Sequence, residues 1–437
     1  MIRIEATQLI PGRGEPVPDA VLLVDGDTIA YAGPATTAPA HPADETVRAH
    51  TVMPGMWDCH THLMGTYTSD LGRLPLEPAA LRSARATADL RAALDAGFTS
   101  VREVGGLGIH LARAVAEGAI VGPDIYAAGA VLSTTGGHGD LHSFPLPMMA
   151  EFSQWGGEMR LCDGPSECAR AVREQLRFNA KVIKVCASGG VLSEVDDPIH
   201  QQFTDAELRA IVEVAGLADR VVAAHCHGKP GIIAALAAGV RTIEHGTYLD
   251  DECAAAMRET GAVLVPTRTI VSELAKSRSA PPWAQPKLDA IVERHAAAIA
   301  LAREAGVTVA TGSDIGLAAG GNRPASWGRN GLEPSLLGEC GFDALGAIEA
   351  VTANAPLTLG PQAPRSGQLV ASYRADVLVL DADPLADLSV LAQPERIFGV
   401  WKSGVRVKSN ADRAGSAGVA GQSNADRADS AGVAGRG

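Results

Sequence analysis

The sequence predicts an α/β fold: a (β/α)8 TIM-like barrel with a small β-sandwich domain formed from both chain ends. Three observations predict it. Eight short apolar strand candidates alternate with helical stretches through the middle of the 437 residues. Strand-rich segments stand at both ends. Residues able to hold a metal recur at the C-terminal ends of the strand candidates, where such barrels keep their chemistry.

The ends come first. "IRIEATQLI" and "DAVLLVDGDTIAYAG" alternate as strands do, and so do "RADVLVLDADPLADLSVL" (374–391) and "IFGVWKSGVRVKS" (397–409). They predict a sandwich shared between residues 1–53 and 361–408, with the barrel over 54–360. The barrel strands end near His62, Gly105, Thr134, Ser188, His227, His245, Thr267 and Asp314, and include "AKVIKVCAS", "DRVVAAHCH", "GVRTIEHG" and "GVTVATGSD". Helices are expected over 79–96, 165–179, 205–218, 229–238, 250–259 and 288–304. Ala-Gly or Thr-Gly before several strands supplies the helix stop. Residues 409–437 form a near-perfect tandem repeat, "SNADRAGSAGVAGQ" then "SNADRADSAGVAGRG". Such a segment buries too little apolar surface to offset its ordering entropy, so a flexible, dispensable tail is expected.

Composition narrows the class. Hydrophobic residues make up 46% and aromatics only 4%, which favours close-packed helices over an aromatic groove. A formal charge of -13 argues against non-specific nucleic-acid binding, which needs a basic face. No run reaches the length of a membrane span, and no charged-then-apolar leader opens the chain. Seven scattered cysteines without a CxxC fit a reducing compartment and small buried thiols, not a disulfide framework. A cytoplasmic protein is expected.

The chemistry begins at "MPGMWDCHTHLMG" (53–65). In a strand His60 and His62 point to the same side, so two imidazoles can serve one metal ion. Later strand ends carry Lys184, His225, His245 and Asp314. Any one alone means little; their joint placement is the signal. Imidazole and carboxylate suit zinc, manganese, iron, cobalt or nickel. Two such ions in contact need an anionic bridge. A lysine buried among cations favours its neutral form, which can add carbon dioxide to become a two-oxygen carbamate. Asp314 can bind one metal, take a proton from a metal-held water and pass it to a leaving nitrogen.

This pattern resembles the amidohydrolase superfamily, over the chain from its first strands to about residue 408. "KVIKVCASGGVLSEVDDP", "AHCHGKPGI", "IEHGTYLDD" and "ADVLVLDADPLADL" are similar to its imidazolonepropionase-like branch, which includes Xaa-Pro dipeptidases and ochratoxin-type amidases. The resemblance implies two divalent ions, zinc foremost. It implies His60, His62 and Asp314 on the more buried metal, His225 and His245 on the more exposed one, and a carboxylated Lys184 bridging both. "STTGGHGD" resembles the branch's loop that sets a histidine over the substrate carbonyl, here His138; the alternative is a histidine that merely packs or caps. His227 shares a face with His225 and serves either substrate or a supporting contact. Tyr248, Arg268, Lys229 and Arg323 follow strand ends and are candidates for a substrate carboxylate, of which Tyr248 and Arg268 are singled out; loop residues of this kind are commonly just solvated. Gly189-Gly190 is not read as a nucleotide site, since neither GxGxxG nor GxxxxGK[ST] is present.

The expected activity is hydrolysis of an amide bond in a dipeptide or N-acyl amino acid, ochratoxin-type amides included, by a metal-bridging hydroxide, with His138 and one metal stabilising the oxyanion. A second reading keeps the site but changes the substrate to a cyclic amide, a lactone, or a xenobiotic amide or carbamate. A third, a catalytically dead barrel used as a scaffold, is disfavoured by the intact ligand set. A small-molecule or dipeptide substrate and a symmetric homo-oligomer are the expected partners.

Overall fold

The computed structural model describes residues 1–409 except Trp155 and Asn322; all but the first residue of the repeat tail lies outside the described residues. The two chain ends meet in one seven-stranded mixed sheet. Its order is Val405–Ser409, Ile397–Lys402, Val377–Leu380, Glu45–Pro54, Ile2–Leu9, Val17–Asp25, Thr28–Pro34. Glu45–Pro54 is the seam. It runs parallel to Ile2–Leu9 and antiparallel to Val377–Leu380, with Met53 opposite Leu378.

Alternation along these strands gives the sheet two apolar faces. Val377, Val379 and Trp401 cluster with Ile4, Leu22 and Ile29, whereas Leu378, Leu380 and Val400 cluster with Met56, Phe98 and Val101 of the barrel. The second face therefore seats the barrel. The outer strand curls back: Thr28 bridges Arg374, and Ile29 N donates to Tyr373 O at 2.9 Å. The sheet thus wraps around its own core.

The barrel strands are parallel and form two arcs. Ile315–Leu317, Met56–Thr66, Phe98–Glu103 and Asp124–Ala127 make one. Val263–Val265, Thr242–His245, Val222–Cys226, Ile183–Cys186 and Val131–Ser133 make the other, with Met159–Leu161 added at its edge. The third expected strand is thus split between the arcs. It breaks at Gly129, whose φ of 80° and 2.4 Å approach of a would-be Cβ to Gln175 Oε1 both require glycine. That same oxygen accepts the N–H of Ala130 at 2.9 Å, so the break leaves no orphan donor there.

Backbone bonds close both gaps. Lys181 N donates to Ala127 O at 2.8 Å, Leu264 N to Thr308 O and Ala310 N to Leu264 O at 2.9 Å each, and Cys59 N to Thr311 O at 2.9 Å. The eighth stave is therefore the extended run 307–311, which bridges Leu264 through Val309 rather than forming a regular ladder. Val182 and Ala223, two residues before Lys184 and His225, share an apolar cluster with Trp57, Val263 and Ala310 that fills the barrel below the site.

All six expected helices are present, as Ala79–Asp95, Pro165–Arg177, Asp205–Gly216, Lys229–Ala238, Asp251–Thr260 and Gln285–Glu304. Local chemistry sets their ends. Thr204 and Glu207 form a capping box, Asp250 caps with its side chain, and Gly239 and Gly261 terminate in the left-handed region. Gly108–Ala116, Leu146–Gln154, Arg268–Ser277, Leu332–Glu339 and Ala344–Val351 are additional helices the pattern did not reveal. They are short, eight to ten residues each. Among the described residues no helix is long and apolar enough to cross a membrane.

Candidate metal centre and active site

The first triad is His60, His62 and Asp314. The strand Met56–Thr66 turns both imidazoles to one side, and Asp314 N donates to His60 O at 2.7 Å, which docks the end of the eighth stave onto the first. Asp314 adopts a φ of 57°, uncommon for a residue with a side chain. Its Oδ1 lies 3.1 Å from His62 Nε2 and 3.5 Å from His60 Nε2. Burial opposes its ionisation, but the two imidazoles and Lys184 outweigh that and hold its carboxyl down at about 2.

Charged groups brace this triad from behind. His60 Nδ1 lies 2.8 Å from Glu244 Oε2, and Arg102 Nη2 donates to both Glu244 oxygens at 2.7 and 2.8 Å. Arg102 also donates to Cys59 O at 2.5 Å and Thr242 Oγ1 at 2.9 Å. Burial works against the Glu244 carboxylate, yet Arg102 and His60 keep it well below the usual range. Asp58 accepts His60 N at 3.1 Å, Ser313 N at 3.0 Å and Asn330 Nδ2 at 2.8 Å, locking the first and eighth strand ends together. Burial, then the nearby Lys184, pushes His60 down to about 4. His62 donates from Nδ1 to Gly105 O at 2.7 Å; burial lowers it, but Asp314 reverses the sign and its pKa is raised.

The second triad is His225, His227 and His245. Ring centroids lie 4.6 Å apart for His225 and His245, and 4.7 Å for each of the other pairs. Neutral groups hold these rings. His225 Nε2 donates to Gly189 O at 3.0 Å, while His227 Nδ1 lies 2.7 Å from Thr247 Oγ1 and His245 Nδ1 2.7 Å from Thr267 Oγ1. Burial first, and then repulsion from neighbouring imidazoles, His138 for His225 and His227 and His225 for His245, holds all three well below the ordinary imidazole value. His245 and Thr267 both lie in the left-handed region, at φ 71° and 57°. Buried His295 clasps them: its Nε2 donates to His245 O at 3.1 Å and Pro266 O at 2.7 Å.

Lys184 joins the triads. Its Nζ stands 3.4 Å from His60 Nε2, and the rings of His60 and His245 are 5.0 Å apart. Burial lowers the Lys184 pKa, although Glu244 and Asp314 work against that. His138 stacks on His225 at 4.2 Å, with its Nδ1 2.9 Å from Ser193 Oγ and its backbone N donating to Gln202 Oε1 at 3.1 Å.

Both triads, Lys184 and His138 open into one cavity whose other walls are largely apolar, with Met64, Leu71, Met159, Val191, Ile270 and Leu288 among them. Cys186 lines it too; burial pushes its thiol up to about 12, so it stays neutral. Tyr248 and Arg268 are not among the lining residues. The Arg294 guanidinium lies over the Tyr248 ring at 4.8 Å, and Arg268 Nη1 donates to Val292 O at 2.8 Å. Lys229 pairs with Asp250 and Glu252, and Arg323 lies over the Tyr67 ring at 4.4 Å. Lys184 is thus the one lysine or arginine among the described lining residues.

The donor set fits two metal ions. Each of the five triad imidazoles has one nitrogen engaged by a protein partner outside its triad, which fixes the ring and leaves the other nitrogen for a metal. Within each triad the ligand atoms lie within 4.8 Å of one another.

Comparison with known proteins agrees with this geometry. The model of the amidohydrolase family matches residues 51–407. Ochratoxinase of Aspergillus niger is 41% identical over 424 residues, covering 92% of this chain and 85% of that protein. The crystal structure of A. niger ochratoxinase superposes with a TM-score of 0.86 at 38% identity, covering 94% of this chain and 96% of that one. A Xaa-Pro dipeptidase with methionine bound in its active site gives a TM-score of 0.82 at 30% identity, covering 93% and 100%. The chain belongs to the amidohydrolase family, and it is an enzyme of the binuclear metal-dependent class that acts on C–N bonds.

Proposed function

We propose that the enzyme hydrolyses the amide bond of an N-acyl amino acid or dipeptide that carries a bulky apolar group, ochratoxin-type amides included. One observation carries this reading: two adjacent ligand triads open into a single cavity with apolar walls. The likeness to ochratoxinase and to a Xaa-Pro dipeptidase supports it.

In this reading His60, His62 and Asp314 hold one ion and His225 and His245 the other, with His227 as a third ligand or a substrate contact. Two divalent ions, read as zinc from the imidazole-rich donor set, would supply Lewis acidity and a nucleophile at neutral pH. Lys184, as a carbamate, would hold both; its lowered pKa supports the neutral amine that carboxylation needs. Asp314, ionised at neutral pH, takes the proton of the attacking water and returns it to the leaving nitrogen. His138 has its Nδ1 beside Ser193 Oγ, whose own proton goes to Asp196, so Nδ1 donates there; Nε2 is the nitrogen left for the developing oxyanion, a role that requires His138 to carry a second proton on Nε2. The apolar walls take the bulky group and keep water from the reacting carbonyl. Seven buried, free cysteines support a reducing compartment such as the cytoplasm.

A second reading draws on the same cavity. With Lys184 engaged at the metals, no other lysine or arginine stands among the described lining residues to pair with a substrate carboxylate. That favours an uncharged substrate: a cyclic amide, a lactone, or a xenobiotic amide or carbamate. A turnover panel decides. N-aryl-acyl amino acids and Xaa-Pro dipeptides are compared with uncharged aryl amides and carbamates of equal size. Release of a free amino acid supports the first reading; turnover of the uncharged set alone supports the second.

A further inference from the structure

Lys287, on the helix Gln285–Glu304, has an unusual neighbourhood. Its side chain is 22% exposed and no carboxylate comes within salt-bridge contact closer than Asp196 Oδ1 at 3.9 Å. Its ammonium instead donates to three backbone carbonyls: Gly190 O at 3.3 Å, Ser193 O at 3.0 Å, and Asp196 O. An ammonium has three protons, and these three oxygens use all of them. All three belong to one loop, 189–197, which contains no helix or strand of its own. A lysine normally keeps its charge in water. Here the charge is spent on gathering a loop some ninety residues away in sequence.

That loop reaches the site at two points. Val191 and Leu192 line the cavity. Ser193 Oγ lies 2.9 Å from His138 Nδ1, and the Ser193 backbone carbonyl is one of the three that Lys287 holds. Asp196 completes the loop from within, accepting Gly190 N at 3.0 Å, Gln202 Nε2 at 2.9 Å and the Ser193 hydroxyl. Just before this helix, Trp283 Nε1 donates to Leu192 O at 3.1 Å.

We propose that Lys287 is a positioning residue: a built-in cation that folds the 189–197 loop over the cavity and so sets His138 against the substrate. Its effect on turnover rests on the amidase reading above, whereas its effect on the loop does not.

The test uses the metal-loaded, full-length enzyme. Lys287→Met keeps the stem and removes the ammonium. We expect unchanged metal content, a fall in kcat of about 10- to 100-fold from a mis-set catalytic group, and faster amide hydrogen exchange confined to 189–202. Lys287→Arg retains donors and recovers part of kcat. Adding propylammonium to Lys287→Ala restores activity and slow exchange, while sodium chloride at equal ionic strength does not. Wild-type exchange in Lys287→Met would overturn the inference, as would loss of metal together with general unfolding in both Met and Arg variants. If the wild type turns over no amide, the amidase reading fails, and hydrogen exchange still decides the role of Lys287.

Discussion

The two ligand triads lie side by side yet are built on different principles. His60, His62 and Asp314 are braced by buried charge: Glu244 against His60, Arg102 against Glu244, and Asp58 across both strand ends. His225, His227 and His245 carry no charge of their own at neutral pH and are held by neutral oxygens, those of Gly189, Thr247 and Thr267. The first triad brings its own anion. The second brings three neutral imidazoles in a crowded, buried place, and a divalent ion there finds its compensating charge only in a shared group. Lys184, within reach of the first triad and pushed toward its neutral form, stands where a bridging carbamate would supply that charge. With the bridge proposed for Lys184, the second site would lean on that bridge, whereas the first leans on its ion-paired scaffold.

Removing the bridge is the strongest way to break this contrast. Lys184→Ala should abolish turnover, by about 10³-fold or more if both ions are needed, and should empty the second site more fully than the first. Metal analysis per chain and rescue by short-chain carboxylic acids check it. Full activity with two metals would mean that the triads do not depend on Lys184.

Glu244→Gln attacks the first triad alone. It leaves the buried Arg102 without its carboxylate, so a loss of about 3–5 kcal/mol of stability is expected, with roughly 10- to 100-fold weaker binding at the first site. Chemical denaturation and metal titration read the two effects separately. The matching change on the other side is milder. Thr267→Val removes one neutral contact to His245 and should weaken the second site by roughly tenfold, with little change in stability. Equal penalties from these two substitutions would erase the contrast.

The smallest signal is in protons. Without metal, His62 has a raised pKa, whereas those of His225, His227 and His245 lie well below 6.5. A ligand nitrogen must be bare to bind metal. Near pH 6.5, filling the first site should therefore expel protons from His62, and filling the second none from its imidazoles. The difference should fade as pH rises above the His62 value. Calorimetry in buffers of different ionisation enthalpy measures it.

Much of this site was legible in the sequence, because barrel chemistry gathers at strand ends and the strand ends could be read. His60, His62, Lys184, His225, His245 and Asp314 each stand at or near the end of an apolar strand run, and the structure brings them together. His227 was visible as the partner of His225 on the same face, though not as a member of a tight triad. The supports were harder to see. Arg102 and Glu244 are 142 residues apart, and although Glu244 lies within "IEHGTYLDD", nothing there names its partner; the clue is a glutamate inside the apolar strand of "TIEH", which needs a buried partner. His295 and Lys287 sit on a helix face and act on carbonyl groups, which sequence does not distinguish. Tyr248 and Arg268 show the opposite limit. Both follow strand ends, but a loop position does not fix where a long side chain goes, and each is engaged outside the cavity lining. In the fold, the split third strand was hidden because it depends on the contact between Gly129 and the distant Gln175.

The most direct test of the account is metal content per chain, measured alongside turnover of an N-aryl-acyl amino acid, after loading with zinc and bicarbonate. The account predicts about two ions per chain, loss of activity on chelation and its return on reloading. Full turnover with no metal, or with one ion that Lys184→Ala does not disturb, would contradict it.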